Sequence, residues 1–566
     1  MSRSAASANG AARLRAELVL WAAVLVLAAF LRLYELGAVP LDLGESRLAF
    51  EAWREVHGAS AELWREPVVN ATTGAVFLLF GDSDALARLI PAVAGVGLVA
   101  AVWLLRPFLG AAGALGAALV LAVSPTFVYF SRHLSPDAYA ALFALLAGGF
   151  ALRFARGGSM GSLAGASASM GVLLCSGGPG VTYGLGFAVS IVAAGALEAG
   201  EGMVHRGVRR LKEPRLALTA VGAFAAAFIA VSTGLLVEAG RFGLPALGAW
   251  VDSFTVRSGG EAWHYPLSVL VLYEPWTAFL GVAACVSWLL SARRDLLSGC
   301  LVFLFAFALV LAAVAGEKTP GQVAAVVLPL ALLGGGLIGR VLARVEWSRL
   351  PRELLTLAPA LILAAVGLLL LNEAFSPGTE AVGARRAFAV LAFVGAVMWP
   401  LWRMGQGRSP ALVAAPLIVA GFIVSGHLAL GLGFRGGEAQ WFSPWRTSAE
   451  TAAVSESLVS LQPARYQRPD VQTAVDNRLA DPLAWYLRGR EQVRFVSAPT
   501  PDAWFFLAPD EGTGAVAEGS GVRLELGEQW QRPSFTWARL FGWWVRGEVY
   551  GTVLSVHMNV YTPQGS

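Results

Sequence analysis

Asp42 and Glu45, with Arg47 two residues on, stand just past the first long apolar run and open an amphipathic stretch. Carboxylates and a guanidinium at a membrane face are costly unless solvated or paired, so their grouping points to a polar substrate. An acid at a helix N-terminus is also ordinary capping chemistry. A second acid, Asp137, follows Ser131-Arg132 by a few residues, with Ser135 and Pro136 before it as cap and first-turn residues. Glu317 and Lys318 adjoin in Ala315-Gly316-Glu317-Lys318-Thr319-Pro320, and Lys212 is the only other lysine. Between Trp250 and Glu274 the chain collects Arg257, Glu261, His264, Tyr265, Tyr273 and Glu274.

The elements that must carry these groups are membrane helices. Over 566 residues, 56% are hydrophobic and only 14% charged, beyond the apolar content of soluble domains. Cys175, Cys285 and Cys300 lie in or at the ends of apolar runs and read as small packed hydrophobes, not a disulfide framework. The net charge of +4 is almost all arginine spread over connecting loops, which argues against nucleic-acid binding. His57, His205, His427 and His557 show no recurring ligand spacing, so no metal ligands are assigned.

Apolar runs near the ~20 residues needed to cross a bilayer predict about thirteen spans. They begin near Glu17, Asp84, Ala111, Asp137, Met160, Thr182, Leu216, Leu267, Leu297, Gln322, Glu353, Arg386 and Ala411. The first is read as a retained helix, since it lacks a small-residue cleavage site and further spans follow. A cytoplasmic N-terminus gathers Lys and Arg in the inner loops, as the positive-inside rule requires. The run Arg206, Arg209, Arg210, Lys212 and Arg215 is such a determinant, beside anionic lipid headgroups.

This orientation divides a multi-pass protein of the cell membrane into a cytoplasmic tail (1–16), a transmembrane domain (17–435) and an extracytoplasmic α/β domain (436–566). Glu45, Asp137, His264 and Lys318 fall on its outer side. The last part is predicted to be helical around Asp470 to Arg488, with strands over Gln492 to Ser497, Ala503 to Leu507 and Val522 to Leu526. Trp441, Trp445, Trp543 and Trp544 suit an interfacial aromatic belt, and equally core packing.

Several segments together resemble a known family: Leu43-Gly44-Glu45-Ser46-Arg47, Gly81-Asp82-Ser83-Asp84 before Arg88-Leu89, Tyr129-Phe130-Ser131-Arg132-His133-Leu134-Ser135-Pro136-Asp137, Gly316-Glu317-Lys318-Thr319-Pro320, and Asp481-Pro482-Leu483-Ala484-Trp485-Tyr486-Leu487-Arg488. They look like the flippase-activity-associated membrane proteins, which are similar to the dolichyl-phosphate-mannose protein mannosyltransferases and the aminoarabinose transferases of lipid A. The resemblance implies an all-α polytopic fold of the GT-C glycosyltransferase type. It further implies transfer of a sugar from a polyprenyl-phosphate donor to a protein or glycan acceptor hydroxyl at the outer membrane face.

By the same resemblance the catalytic base lies in the first outer loop. The family's Asp-Glu-x-Arg falls on Gly44, Glu45, Ser46 and Arg47, with glycine in place of the first acid. The base role then passes to Glu45, or to Asp42 if the backbone brings it round. Asp137 would orient the acceptor or the donor sugar; Arg47, Arg132 and Lys318, with Glu317 beside it, would hold the phosphate. His264, Tyr265 and Glu274 would bind substrate, because aromatic faces stack on sugars while carboxylates take hydroxyls, although an interfacial anchor has the same composition. Magnesium or manganese on Glu45 and Asp137 would suit oxygen ligands, and nothing in the spacing requires one. Two other readings stay open: a non-catalytic protein associated with flipping of polyprenyl-linked sugars, for which Gly44 speaks, and a solute transporter.

Overall fold

The computed structural model describes residues 2–58, 65–198, 202–234, 245–255, 262–291, 295–344, 410–434, 442, 444–460, 472–497, 503–510, 521–531, 543 and 552–561. Among them the helices are α1 (Ser2–Leu33), α2 (Leu43–Val56), α3 (Pro67–Phe80), α4 (Asp84–Ala87), α5 (Leu89–Ala101), α6 (Arg106–Val123), α7 (Pro125–Ser131), α8 (Asp137–Gly157) and α9 (Met160–Leu174). There follow α10 (Gly177–Leu197), α11 (Met203–Arg210), α12 (Pro214–Ser232), α13 (Pro245–Thr255), α14 (Tyr265–Tyr273), α15 (Pro275–Leu289), α16 (Leu296–Val314), α17 (Gly321–Leu342) and α18 (Pro410–Phe434).

Seven helical stretches among the described residues are long and apolar enough to cross a bilayer, or eight if α14 and α15 form one bent span. The protein is therefore a multi-pass membrane protein, and Leu218, Val192 and Leu290, all more than 70% exposed, stand where lipid would cover them. Helices occupy the expected starts from Glu17 to Gln322 and at Ala411. The starts at Glu353 and Arg386 lie outside the described residues. α1 also runs back through the expected tail. The span expected near Leu267 is instead broken by 111° at Glu274-Pro275, because proline removes a helix hydrogen bond and clashes with the preceding turn.

Among the described membrane spans the most buried is α17. Its Gly335 and Gly339 let the backbone of α6 approach so closely that a Cβ at either position would lie within 2.6 Å of Ala117 or Gly113 atoms. α6 stops because Ser124 is extended and Pro125 starts a new helix. The stop leaves carbonyls of the last turn of α6 without helical partners. Arg32, fully buried in α1, donates to two of them, Leu121 O at 2.9 Å and Ala122 O at 3.0 Å. Glu274 serves the other side of the same break, accepting from the Thr126 N–H at 2.9 Å and from the Ser124 hydroxyl at the start of α7.

Beyond the membrane helices lies a mixed six-stranded sheet of β1 (Trp445–Thr447), β2 (Thr473–Asp476), β3 (Val493–Val496), β4 (Phe505–Pro509), β5 (Gly521–Gln531) and β6 (Thr552–Tyr561), in the order β1-β5-β6-β4-β2-β3. β2 pairs in parallel with β3 and β4; the other pairings are antiparallel. Val475, Leu483, Phe505, Leu507 and Val560 form its core with helix residues Val454 and Leu458. The strand runs expected in β3, β4 and β5 are present, whereas the stretch expected to be helical around Asp470 to Arg488 opens with β2 and turns helical only from Asn477. β2 lies between two strands with all four residues buried, and Thr473-Ala474-Val475-Asp476 is too short and carries no alternation to mark it. Trp543 packs edge-on against Tyr273, while Trp441 and Trp544 lie outside the described residues.

Candidate active site

Asp42 is the N-cap of α2, its Oδ1 accepting from the Glu45 N–H at 2.8 Å while Glu45 Oε2 accepts from the Asp42 N–H at 3.1 Å. This reciprocal capping box holds two acids on one turn. Their surroundings then diverge. Arg88 clasps Glu45 with Nε at 2.7 Å from Oε1 and Nη2 at 2.5 Å from Oε2, and the Leu134 N–H adds a third bond at 2.7 Å. Burial alone would raise the Glu45 carboxyl, but the charges of Arg88 and His133 and these hydrogen bonds overrule it and hold it at about 2. Arg88 also donates to Leu36 O, Val39 O and Pro40 O, which fixes the turn that delivers Asp42. Among the described residues no such cation clasps Asp42: burial and the charge of Glu45 push its carboxyl up to about 7.

Both acids face a cavity of about 480 Å³ at the sheet-bearing ends of the helices. Asp137, the first residue of α8, lines it with a buried Oδ1 that has no hydrogen-bond partner among the described residues. Gly321 stands opposite: a Cβ there would lie 2.7 Å from that same oxygen. Any side chain at position 321 would therefore displace Asp137. Arg47 is exposed on the cavity wall, and among the described residues its guanidinium has no hydrogen bond or ion pair. Glu66 lies on the same wall, its carboxyl raised by burial. Trp250, tied by Nε1 to Thr182 Oγ1 at 2.9 Å and edge-on to Phe254, provides aromatic surface, and Leu311, Ala312 and Ala325 provide an apolar wall.

Of the residues expected at a site, Asp42, Glu45, Arg47, Asp137 and Glu317 line this cavity; Arg132, Lys318, His264, Tyr265 and Glu274 do not. Arg132 donates to Tyr34 O at 2.7 Å and Glu35 O at 3.2 Å beyond the end of α1 and stacks on Phe434. Lys318 Nζ donates to Ala313 O at 3.0 Å and Ala315 O at 2.6 Å, closing the end of α16. Glu274 is engaged at the Ser124 break and by Thr277 Oγ1 at 2.6 Å. His264 is exposed before α14, and Tyr265 is buried.

Sequence spacing missed Arg88, 43 residues beyond its partner, and also His133, Glu66 and Trp250. The signal available for Arg88 was the need of an acid at a membrane face for a cation. His133 stacks on Tyr129 with centroids 3.7 Å apart and places Nδ1 2.9 Å from Tyr129 O. Ligand atoms of Asp42, Glu45 and His133 lie within 4.8 Å of one another. They suit a divalent cation poorly, because both Glu45 oxygens are already taken by a guanidinium whose charge would repel it.

The segment from Asp481 to Arg488 has a positional task. Trp485 Nε1 and Tyr486 Oη donate to Asp84 at 2.8 and 3.0 Å, Arg488 Nε donates to Asp82 Oδ2 at 2.9 Å, and the Leu41 N–H donates to Tyr486 Oη at 2.7 Å. The sheet-bearing part is thus bonded to the residue immediately before Asp42.

Residues 65–198 match the family model of dolichyl-phosphate-mannose-protein mannosyltransferase. That stretch includes Arg88, His133 and Asp137 and ends with α10. Among solved structures the chain is similar to ArnT from Cupriavidus metallidurans bound to undecaprenyl phosphate, with a TM-score of 0.57, 17% identity, and coverage of 97% of this chain and 99% of that one. The apo form of that ArnT gives 0.55 at 16% identity over the same shares. An oligosaccharyltransferase from Archaeoglobus fulgidus, in complex with zinc and sulfate, gives 0.44 at 14% identity, covering 84% of this chain and 62% of that one. No curated protein matches the chain. The expected resemblance to the mannosyltransferases is borne out over the matched stretch, and the fold is that of ArnT, of the GT-C type.

Proposed function

We propose that this chain is a GT-C glycosyltransferase that moves a sugar from a polyprenyl-phosphate donor to an acceptor hydroxyl at the extracytoplasmic membrane face, with Asp42 as the base. One observation carries the assignment to Asp42 above all. A Cβ on Gly44 would lie 3.4 Å from Asp42 Oδ1, so the carboxylate of Asp42 stands beside the root of the acid that Gly44 lacks. Glu45, expected to take over that role, is better suited to positioning, since a carboxylate clasped by Arg88 is a poor proton acceptor. The donor class is supported by the ArnT fold, seen there with undecaprenyl phosphate, and by a cavity that combines an apolar wall with carboxylates and Arg47.

In the proposed step the acceptor hydroxyl gives its proton to Asp42 and its oxygen attacks the anomeric carbon of the donor sugar. The bond from that carbon to the phosphate oxygen breaks, and the electron pair leaves with the phosphate, whose added charge Arg47 answers. Asp137 accepts hydrogen bonds from sugar hydroxyls through its unpartnered oxygen, and the face of Trp250 suits the apolar side of the ring. Asp42→Asn keeps a competent N-cap but not a base. With a labelled polyprenyl-phosphate sugar and purified protein, transfer is expected to fall about a thousandfold with little change in unfolding temperature. Undiminished transfer would overturn the assignment of Asp42; no transfer by the wild type alongside measurable lipid translocation would favour the flipping reading instead.

A further inference from the structure

The peptide that joins Pro40 to Leu41 is held on both sides. Its carbonyl, Pro40 O, accepts from Arg88 Nη2 at 3.1 Å, and its N–H, that of Leu41, donates to Tyr486 Oη at 2.7 Å. A peptide unit is planar, so a bond on each side stops it from turning and sets the direction in which the chain leaves toward Asp42. The Tyr486 hydroxyl in turn donates to Asp84 Oδ2 at 3.0 Å. Leu41 is fully buried, so solvent cannot replace that hydroxyl as the acceptor.

Tyr486 comes from 445 residues further along the chain and ends the short helix Ala480–Tyr486. That helix is wedged between two cores. Leu483 packs with Val475 and Phe505 of the sheet. Trp485, fully buried, packs with Leu41, Leu48 and Phe77 of the membrane part, its ring stacked on Phe77 with centroids 5.6 Å apart. Tyr486 therefore reaches the turn before Asp42 from a rigid support. Among the described side-chain hydrogen bonds of this segment to the membrane part, that of Tyr486 alone ends on the turn, while those of Trp485 and Arg488 end on Asp84 and Asp82.

We propose that Tyr486 is a positioning residue for the transfer: its hydroxyl fixes the Pro40–Leu41 peptide, and with it the aim of Asp42 at the acceptor hydroxyl. The proposal rests on the reading of Asp42 as the base. Without the hydroxyl, the Leu41 N–H and Asp84 Oδ2 both lose a partner, and the nearest answer to each is the other. The turn is then drawn toward Asp84, and Asp42 leaves its line to the acceptor. Arg47, within α2, and Asp137, on α8, keep their own supports, so donor binding is kept.

The test is transfer from a labelled polyprenyl-phosphate sugar by the purified full-length protein, beside hydrogen–deuterium exchange read at single residues. Tyr486→Phe keeps the ring and removes only the hydroxyl. It is expected to lower kcat on the order of 10- to 100-fold with KM for the donor nearly unchanged, and to speed exchange of the Leu41 amide. Arg488→Gln, which breaks a bond of the same segment that does not reach the turn, is expected to leave kcat nearly unchanged. An unchanged kcat in Tyr486→Phe, a loss carried by KM instead, or an equal loss of kcat in Arg488→Gln would overturn the proposal. Unchanged exchange in Tyr486→Phe, beside a crippled Asp42→Asn, would overturn the role of Tyr486 alone and leave Asp42 the base. Faster exchange beside undiminished transfer by Asp42→Asn would instead sink the base, and the role of Tyr486 with it. If Tyr486→Phe does not fold, the wild type decides: a Leu41 amide that exchanges as fast as an unbonded one would overturn the proposal, and a protected one would support it.

Discussion

Glu274 at the helix break and Glu45 beside the polar cavity are both buried carboxylates whose oxygens are answered from several sides, whereas Asp42 and Asp137 line the same cavity without a cation bound to them among the described residues. Glu274 takes the Thr126 N–H and the hydroxyls of Ser124 and Thr277. Glu45 takes Arg88, the Leu134 N–H and the Asp42 N–H. Charge near a membrane therefore does not by itself mark chemistry in this protein. Saturated acids fasten elements together, and the acids with capacity to spare are the ones a substrate can meet.

The largest effect should come from breaking the saturated side of this contrast. Glu45→Gln leaves Arg88 buried without its counter-charge, which is expected to cost about 3 to 5 kcal/mol of stability. Denaturant unfolding of the purified protein would measure it. A loss under about 1 kcal/mol would mean that Glu45 is not the fastening it is taken for, and would return it to candidacy as the base.

The next effect concerns pH. A base must be deprotonated to act, so with Asp42 raised to about 7 the transfer rate should climb as pH rises toward that value and level off above it. At two units below, the rate should be lower by roughly a hundredfold. Stability runs the other way. The folded protein keeps a proton on Asp42 that the unfolded chain has lost, so the contribution of Asp42 is greatest below the ordinary aspartate range and declines as pH rises through the window from there to about 7. Glu66 and Glu51 are raised by burial as well and add to the decline, so the group is identified by Asp42→Asn removing the activity slope together with only a part of the decline in stability. A rate independent of pH across this range would dismiss Asp42 as the base.

How far the sequence reveals these roles depends on the distance over which each is decided. Asp42, Glu45 and Arg47 are legible because a cap and its first turn are encoded within a few residues, and Asp137 because Ser135-Pro136 announces a helix start. Membrane helices are legible because apolar length is local too. The partners are not. Arg88 reaches Glu45 from the turn between α4 and α5, and Arg132, Lys318 and Glu274 look available in the sequence because nothing local shows that α1, α16 and α7 have ends needing them. The bend at Glu274-Pro275 could have been read from the proline. The burial of β2 between β3 and β4 depends on the parallel crossover and could not.

The smallest effect separates two cations that the sequence treats alike. Arg47 is exposed on the cavity wall, while Lys318 Nζ is turned to the carbonyls of Ala313 and Ala315. Arg47→Gln should weaken donor binding about tenfold, since one charge-assisted bond to phosphate is lost, with unfolding nearly unchanged. Lys318→Gln should leave KM for the donor unchanged and cost about 1 kcal/mol of stability through the loosened end of α16. Titration of polyprenyl phosphate against transfer rate, beside thermal unfolding of both variants, tests the pair. If the two effects exchanged places, with Lys318→Gln raising KM and Arg47→Gln only softening the fold, the distinction between answered and unanswered charges would fail for cations even where it held for acids.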